Sequence, residues 1–467
     1  MRLGDVLYDL DLAASVAALE VDRVEIDSRL CAPGTLFFGL PGTQVDGAMY
    51  ASVAASNGAR CVVATHDIEG LDIPVLVVSH DEIFRLCTLA ACAIVGDVQR
   101  DLTLVGVTGT NAKTSVCTMV AELSQAIGWN GASVGTLTNA RTTPAAPEML
   151  RTIKEFASHF ASTTSAVVAI EMSSHALDQQ RIEGLRFQVA AFTNLTHDHL
   201  DYHHDMEGYF KAKALLFRSS MADRAAIWVD DPYGERLASE LEIPVERVSR
   251  NDASQIELTL DATSFIWRGH SVRTSIIGSY NVDNLLMALA IVSLLGAGDA
   301  EIAAAAANLK PVAGRFNLLK NRGISAIVDF AHTPEGLRRL LEDILELKPQ
   351  GRLITVFGCS GERDRTKRGA MGRVACELSD AVFVTTDDPR FEDPNAIIDE
   401  IVQDLPANTN WQRLVDRREA ITAALAMARE GDVVVVTGRG HETMQLVRDQ
   451  KISFDDRAII SELMKRA

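Results

Sequence analysis

The sequence predicts an α/β protein of three successive units, and three observations carry this prediction. Short apolar runs of strand length alternate with longer segments of helical period along the chain. Polar residues follow those runs at their carboxyl ends, where open parallel sheets place their ligands. At 467 residues the chain is also too long for one core, so two to four domains are expected.

The first unit spans residues 1–98. Val24-Glu-Ile-Asp-Ser-Arg29 precedes Gly34-Thr-Leu-Phe-Phe-Gly-Leu-Pro-Gly42, and a helical segment Met49–Asn57 precedes the strand that begins at Cys61. Short strands with one or two helices suit a small α/β domain. Asp27-Ser28-Arg29 reads as a turn, either solvated or binding an anion.

The second unit, residues 99–312, opens on the stretch that organises the chain. Leu102–Val107 reads as a buried strand, Thr108–Ala112 as a small-residue turn, and Lys113 to about Ile127 as a helix. Strand, tight loop, Lys113-Thr114 and helix make a phosphate cradle: loop amides and the helix N-terminus attract an anion, the lysine adds a point charge, and the threonine hydroxyl suits Mg²⁺. The general pattern wants glycine where Val107 and Ala112 stand. Strands then follow at Ser133–Thr136, Ala166–Ile170 and Val189–Phe192, with a helix about Pro147–Ser162. The last two strands end at Glu171-Met-Ser-Ser-His175 and at Thr193-Asn-Leu-Thr-His-Asp-His-Leu-Asp-Tyr-His203. A helix near Met206–Phe217 carries Lys211 and Lys213, and a long apolar helix from Ser279 holds Asn281 and Asn284 at its mouth.

The third unit, residues 313–467, reads as strands at Ala326–Asp329, Leu353–Phe357, Ala381–Val384 and Val433–Val436. Each empties into a polar loop: Phe330–Pro334, Gly358–Arg365, Thr386–Arg390 and Gly438–Glu442. A parallel sheet would gather these loops on one edge.

Composition bounds the function. A hydrophobic share of 47% with 23% charged residues is ordinary for a soluble globular protein. The net charge of −18, with no basic stripe, argues against nucleic-acid binding. No apolar run reaches membrane-spanning length, the N-terminus lacks an apolar signal core, and the seven cysteines are scattered without a Cys-x-x-Cys, so reduced thiols in a cytoplasmic protein are expected.

Several residues carry chemistry. His197-x-His199-x-Asp201 approaches the His-x-His-x-Asp-His of dinuclear metallohydrolases but has Tyr202 in the last place. Mg²⁺ on a bound nucleotide is the alternative, with Glu171 or His199 joining Thr114. By position alone Lys213 reads as a surface lysine; beside Mg²⁺ and phosphate it could serve as a cation or a carbamate. The basic run Arg363, Arg365, Lys367, Arg368 is a solvated face or an anion site. Arg390 could take a carboxylate bidentately, while Asp387 and Glu442 hold an ammonium, which together would suit a zwitterionic amino acid.

Together these motifs resemble the Mur ligase family, over nearly the whole chain and in order. They are Asp27-Ser-Arg, Thr108-Gly-Thr-Asn-x-Lys-Thr, Thr142-Thr-Pro, Glu171-Met-Ser-Ser-His-Ala-Leu, the Thr193–His203 segment, Gly314-Arg-Phe, Asp329-Phe-Ala-His-Thr-Pro, Phe357-Gly-Cys-x-Gly-x-Arg-Asp, Asp387-x-Pro-Arg and Gly438-x-Gly-His-Glu. The nearest likeness is to members that add the third peptide residue to UDP-MurNAc-dipeptide. The resemblance implies a domain for the UDP end, a central ATPase and a Rossmann-like amino-acid domain. It implies ATP and Mg²⁺, an acyl-phosphate intermediate and small-molecule substrates (UDP-MurNAc-L-Ala-D-Glu and an amino acid); separately, a monomer is expected.

By position, the resemblance assigns Gly109, Thr110, Asn111, Lys113, Thr114, Asn281, Asn284, Arg315, Asp329 and His332 to the nucleotide, with Thr114, Glu171, His199 and a carbamylated Lys213 around Mg²⁺. Lys113, Lys213 and His199 are its catalytic groups. Ser28, Thr142, Thr143, Ser173 and Arg181 fall to the UDP-muramoyl substrate. Arg363, Asp387, Asp388, Arg390, Gly438 and Glu442 fall to the amino acid. Arginine after Asp-x-Pro marks meso-diaminopimelate selection in the family, because that amino acid has a second carboxylate which lysine lacks. A different amino acid such as lysine, or a pathway outside the cell wall, is the alternative. Two positions depart from the family pattern: Asp388 replaces Asn, adding a negative charge, and Ala112 replaces Gly, which would be strained at positive φ.

Overall fold

The computed structural model describes residues 1–467 apart from 43–44, 97, 99–101, 139–141, 161–164, 348–350, 404, 406–408 and 467. The chain forms two compact units: Met1–Gly109 with Val120–Thr193 and Glu207–Arg247, and Thr110–Met119 with Asn194–Met206 and Val248–Ala467.

The first unit holds two sheets. Arg23–Glu25, Thr35–Phe38, Ala59–Ala64 and Val75–Val77 pair in that order, all parallel. The larger sheet runs Val245–Val248, Ala222–Trp228, Phe187–Phe192, Thr103–Thr108, Ala166–Glu171, Asn130–Val134. Its pairings from Ala222–Trp228 to Asn130–Val134 are parallel. Every residue of Ala166–Glu171 is buried, as expected of a central parallel strand covered on both faces. The strand expected at Ser133–Thr136 instead ends at Val134. The cause is local: the Thr136 amide leaves the ladder and donates to Glu171 Oε1 at 2.8 Å.

In the second unit the sheet order is Asn317–Asn321, Ile324–Asp329, Val433–Thr437, Leu353–Phe357, Ala381–Val384, Trp411–Arg413. The first pair is an antiparallel hairpin and the others are parallel. Val433-Val-Val-Val436 shows why: Val433 and Val435 pack into one core, Val434 and Val436 into another, so both faces are covered. The helix Pro334–Leu347 supplies Leu337, Leu340, Leu341 and Ile344 to the first of these cores, one apolar stripe at helical spacing. Two features escaped the sequence reading. Ala253–Leu258, Thr263–Trp267 and His270–Thr274 form a small antiparallel sheet, and Met444–Val447 with Gln450–Ser453 forms an isolated hairpin.

No helix among the described residues is long and apolar enough to cross a membrane.

Candidate active site

The phosphate loop leaves the strand Thr103–Thr108 and enters the helix Lys113–Ala126. Ala112 sits at φ +73°, the left-handed backbone that the departure from glycine made a concern. The turn is latched to the Asn194–Thr196 segment. The amides of Thr110 and Asn111 donate to the Asn194 carbonyl and side-chain oxygen, both at 2.9 Å, and the Thr196 amide donates to Thr110 Oγ1 at 3.0 Å. Lys113 Nζ donates to Thr110 O at 2.9 Å. Thr114 is buried at the first turn of the helix. Asn194 escaped the sequence reading; an amide following a strand, in a segment otherwise rich in histidine, was the available signal.

In the first unit, Lys213 is 1% exposed, donates to Gly109 O at 2.8 Å and lies 4.6 Å above the Tyr209 ring. The surface reading from position alone therefore fails. The helix turns this residue inward, onto Gly109 of the small-residue turn. Glu171 closes its strand 2% exposed; Thr136 donates to it from both amide (2.8 Å) and hydroxyl (3.2 Å). A Cβ on Gly135 would lie 2.0 Å from Glu171 Oε1, so the approach requires glycine. From this carboxylate a polar chain extends through residues assigned to the UDP-muramoyl substrate. Thr136 reaches Thr142 Oγ1 at 3.2 Å, Thr143 donates to Glu171 O at 2.7 Å, and Thr143 meets Ser173 Oγ at 3.1 Å. Ser28 and Arg181 lie elsewhere in the unit. Ser28 is buried and accepts from Asn57 through its carbonyl; Arg181 Nε is held by Gln179.

In the second unit, no group of His, Cys, Asp or Glu able to hold a metal forms among the described residues. His197 faces Asp364 at 3.8 Å, whereas His199, at φ +55°, faces Asp198 at 3.5 Å. The Asp201 side chain lies outside the described residues. Asn281 and Asn284 are buried and spend their amides locally, on Ile277 O at 2.8 Å and Asn281 Oδ1 at 3.1 Å.

Asp329 ties two loops together. Its carboxylate accepts from the Phe316 amide (2.8 Å), the Ala331 amide (2.7 Å) and the Tyr280 hydroxyl (2.9 Å). Burial and that carboxylate push the Tyr280 phenol well above its ordinary value, so it stays a donor. Arg315 lies 4.5 Å over the Phe330 ring. His332 Nδ1 meets Phe330 O at 2.9 Å, and burial together with nearby Lys367 lowers this imidazole to about 4, leaving it neutral at pH 7.

The amino-acid candidates gather at the ends of two strands. Asp387 Oδ1 accepts from Ser360 Oγ at 3.0 Å and from the Asp388 amide at 2.7 Å. Gly438, at φ +109°, passes so close that a Cβ would lie 2.5 Å from Asp387 Oδ2. Arg390 has φ +52°; its amide donates to Leu446 O at 3.1 Å and its carbonyl accepts from Arg448 at 2.8 Å. Its Nε is buried and without a hydrogen-bond partner. Burial and then Asp387 raise the Glu442 carboxyl to about 7, against the pull of Arg439.

The basic run separates. Arg368 is fully buried and paired with Glu392 and Glu400, each at 2.8 Å, and Arg365 pairs with Glu400. Those two are structural. Arg363 stays exposed.

Three family models match the chain in succession: "Mur ligase family, catalytic domain" over residues 20–99, "Mur ligase middle domain" over 107–292, and "Mur ligase, glutamate ligase domain" over 314–440. The chain belongs to the Mur ligase family and is an ATP-dependent, ADP-forming ligase. More particularly, it is 40% identical to a UDP-N-acetylmuramoyl-L-alanyl-D-glutamate--2,6-diaminopimelate ligase of Gloeobacter violaceus, covering 100% of this chain and 98% of the relative. It is 36% identical to the ligase of the same name from Syntrophomonas wolfei, covering 100% and 99%. A solved structure bearing that name superposes with a TM-score of 0.68 at 26% identity, covering 100% and 99%. The MurF ligase of Thermotoga maritima shares the fold, with a TM-score of 0.66 at 18% identity and coverage of 96% and 99%.

Proposed function

We propose that this ligase joins meso-diaminopimelate to UDP-MurNAc-L-Ala-D-Glu in peptidoglycan synthesis. The observation that carries the reading is the Arg390 guanidinium, partnerless at Nε in the loop that carries Asp387, whose charge also acts on Glu442. One cation and flanking acids can hold a carboxylate and an ammonium of the same distal group. A lysine substrate would leave the cation unused.

In the reaction, the glutamyl carboxylate of the dipeptide takes the γ-phosphoryl group of ATP, releasing ADP. The amine of diaminopimelate attacks the acyl phosphate, and the tetrahedral intermediate expels phosphate as the amide forms. Lys113, with Gly109, Thr110 and Asn111, cradles the phosphates and stabilises the charge of the transferred group. Asn281, Asn284, Arg315, Asp329 and His332 hold the rest of the nucleotide, with neutral His332 a hydrogen-bonding group and not a counter-ion. Ser28, Thr142, Thr143, Ser173 and Arg181 hold the UDP-muramoyl substrate. Arg363 and Gly438 complete the amino-acid site.

Thr114, Glu171, His199 and a carbamate on Lys213 are the groups that the family resemblance assigns to Mg²⁺, and their donor atoms, mainly oxygens, are of the kind that suits that ion. Lys213 is buried with its Nζ at Gly109 O, and a carbamate on that nitrogen would supply the oxygen donors the lysine itself lacks. Such an ion would neutralise charge on the phosphates. Purified protein given ATP, Mg²⁺ and UDP-MurNAc-L-Ala-D-Glu should release phosphate only when diaminopimelate is added. Release with lysine in preference, or with no amino acid, overturns the reading.

A further inference from the structure

Asp388 places a carboxylate one residue from the proline that precedes Arg390. Left free, it would compete with a substrate carboxylate for that guanidinium. The structure gives it another partner. Arg439, fully buried, donates through Nη1 to Asp388 Oδ1, and Nη1 also lies 3.7 Å from Glu442 Oε2. The Leu446 amide takes the same Asp388 oxygen at 3.1 Å. Arg439 is itself fixed, since Nη2 donates to Met444 O at 2.6 Å. Met444 and Leu446 both belong to the isolated hairpin, and that hairpin holds Arg390 through Leu446 O. A buried carboxylate without a counter-ion is costly, so the pair is an obligate unit: removing one partner leaves the other charge stranded.

We propose that Arg439 is a positioning residue for amino-acid selection: by taking the charge of Asp388 it leaves the Arg390 guanidinium free for a substrate carboxylate, and it anchors the hairpin that holds Arg390 in place. The charges are thereby divided: Arg439 holds Asp388 and lies beside Glu442, and Arg390 is left for the ligand. This deepens the diaminopimelate reading and rests on it.

The test compares wild type, R439Q, D388N and the double variant D388N/R439Q for KM and kcat with diaminopimelate and with lysine, alongside Tm. In R439Q the freed Asp388 carboxylate competes for Arg390, and KM for diaminopimelate should rise roughly tenfold with kcat little changed, the signature of lost ground-state binding. The diaminopimelate-to-lysine preference should fall by the same factor. The double variant replaces the ion pair by two amides of similar shape and should recover KM to within about threefold of wild type, whatever the single variants do to folding. Two results overturn the proposal while leaving the ligase reading intact: R439Q lowers Tm but keeps KM and preference, or the double variant recovers Tm without recovering preference. Wild type inactive with both amino acids refutes the substrate reading and this proposal with it.

Discussion

Ala112→Gly isolates the strain in the phosphate loop. Ala112 lies at φ +73° between the latched amides of Thr110 and Asn111 and the first helical residue, Lys113, and its carbonyl already accepts from the Val116 amide at 2.9 Å. It therefore cannot relax without breaking the helix start. An L-residue in left-handed backbone is roughly 1–2 kcal/mol worse than in its preferred wells. Glycine removes that cost but gives back about 0.4–1 kcal/mol through the greater freedom of the unfolded chain. The net expectation is stabilisation of about 0.5–1 kcal/mol, or an increase in Tm of roughly 1–4 °C for a cooperative unit of this size. Ala112→Val moves the other way: a β-branched residue at positive φ adds strain, and Tm should drop by more than glycine raises it. Differential scanning calorimetry of the three proteins without nucleotide gives the answer. If valine is tolerated as well as alanine, or glycine lowers Tm, the loop does not hold residue 112 in left-handed backbone and the argument fails.

Four other outcomes follow from the same geometry. Arg390→Ala should remove selection for a second carboxylate, cutting kcat/KM for diaminopimelate by roughly 10- to 100-fold, the worth of a charge-assisted hydrogen bond, with activity on lysine hardly changed; an unmoved preference sinks the assignment. Lys213→Ala should lower kcat by roughly 10²-fold or more if the residue carries transition-state charge stabilisation, with native far-UV circular dichroism; full activity would place that buried amine outside the chemistry. Glu442, raised to about 7, must ionise to hold an ammonium, so KM for the amino acid should fall as pH rises through about 7, and Glu442→Gln should flatten that profile. The linked stability has a definite sign: a carboxyl with a raised folded pKa contributes stability below its unfolded value, which is lost as pH climbs toward 7, so Glu442→Gln should also flatten Tm over that window. Asn194→Ala removes the side-chain acceptor for the Asn111 amide and should raise KM for ATP several-fold with little effect on KM for the amino acid, as expected when a positioning contact of the phosphate loop is lost; an unchanged KM for ATP removes the latch from the account.

How far the sequence discloses this protein depends on the range of the signal. The strand–loop–helix at Thr103–Ala126 is legible because apolar run, small-residue turn and helical period are local. The strands Leu353–Phe357 and Ala381–Val384 are likewise continuous apolar runs covered on both faces. The sheet from Ala253 to Thr274 is not legible: its strands alternate polar and apolar residues weakly, and its pairing rests on turns without a strong signature. Site chemistry divides in the same way. Arg390 and Arg368 are the same residue type in loops after strands, yet only the fold shows that Glu392 and Glu400, 24 and 32 residues away, consume Arg368. By position alone Lys213 reads as a surface lysine, and the face of its helix turns it inward. Arg439 stood unremarked inside a glycine-rich motif because its partner, Asp388, lies 51 residues earlier in the chain.

The central claim is tested most directly by a competition. The enzyme is given ATP, Mg²⁺, UDP-MurNAc-L-Ala-D-Glu and an equimolar mixture of meso-diaminopimelate, lysine and ornithine, and the nucleotide-peptide product is weighed by mass spectrometry. The account predicts a single product carrying diaminopimelate, with one phosphate and one ADP released per amide formed. A product carrying lysine or ornithine, or phosphate released without any amide, contradicts it.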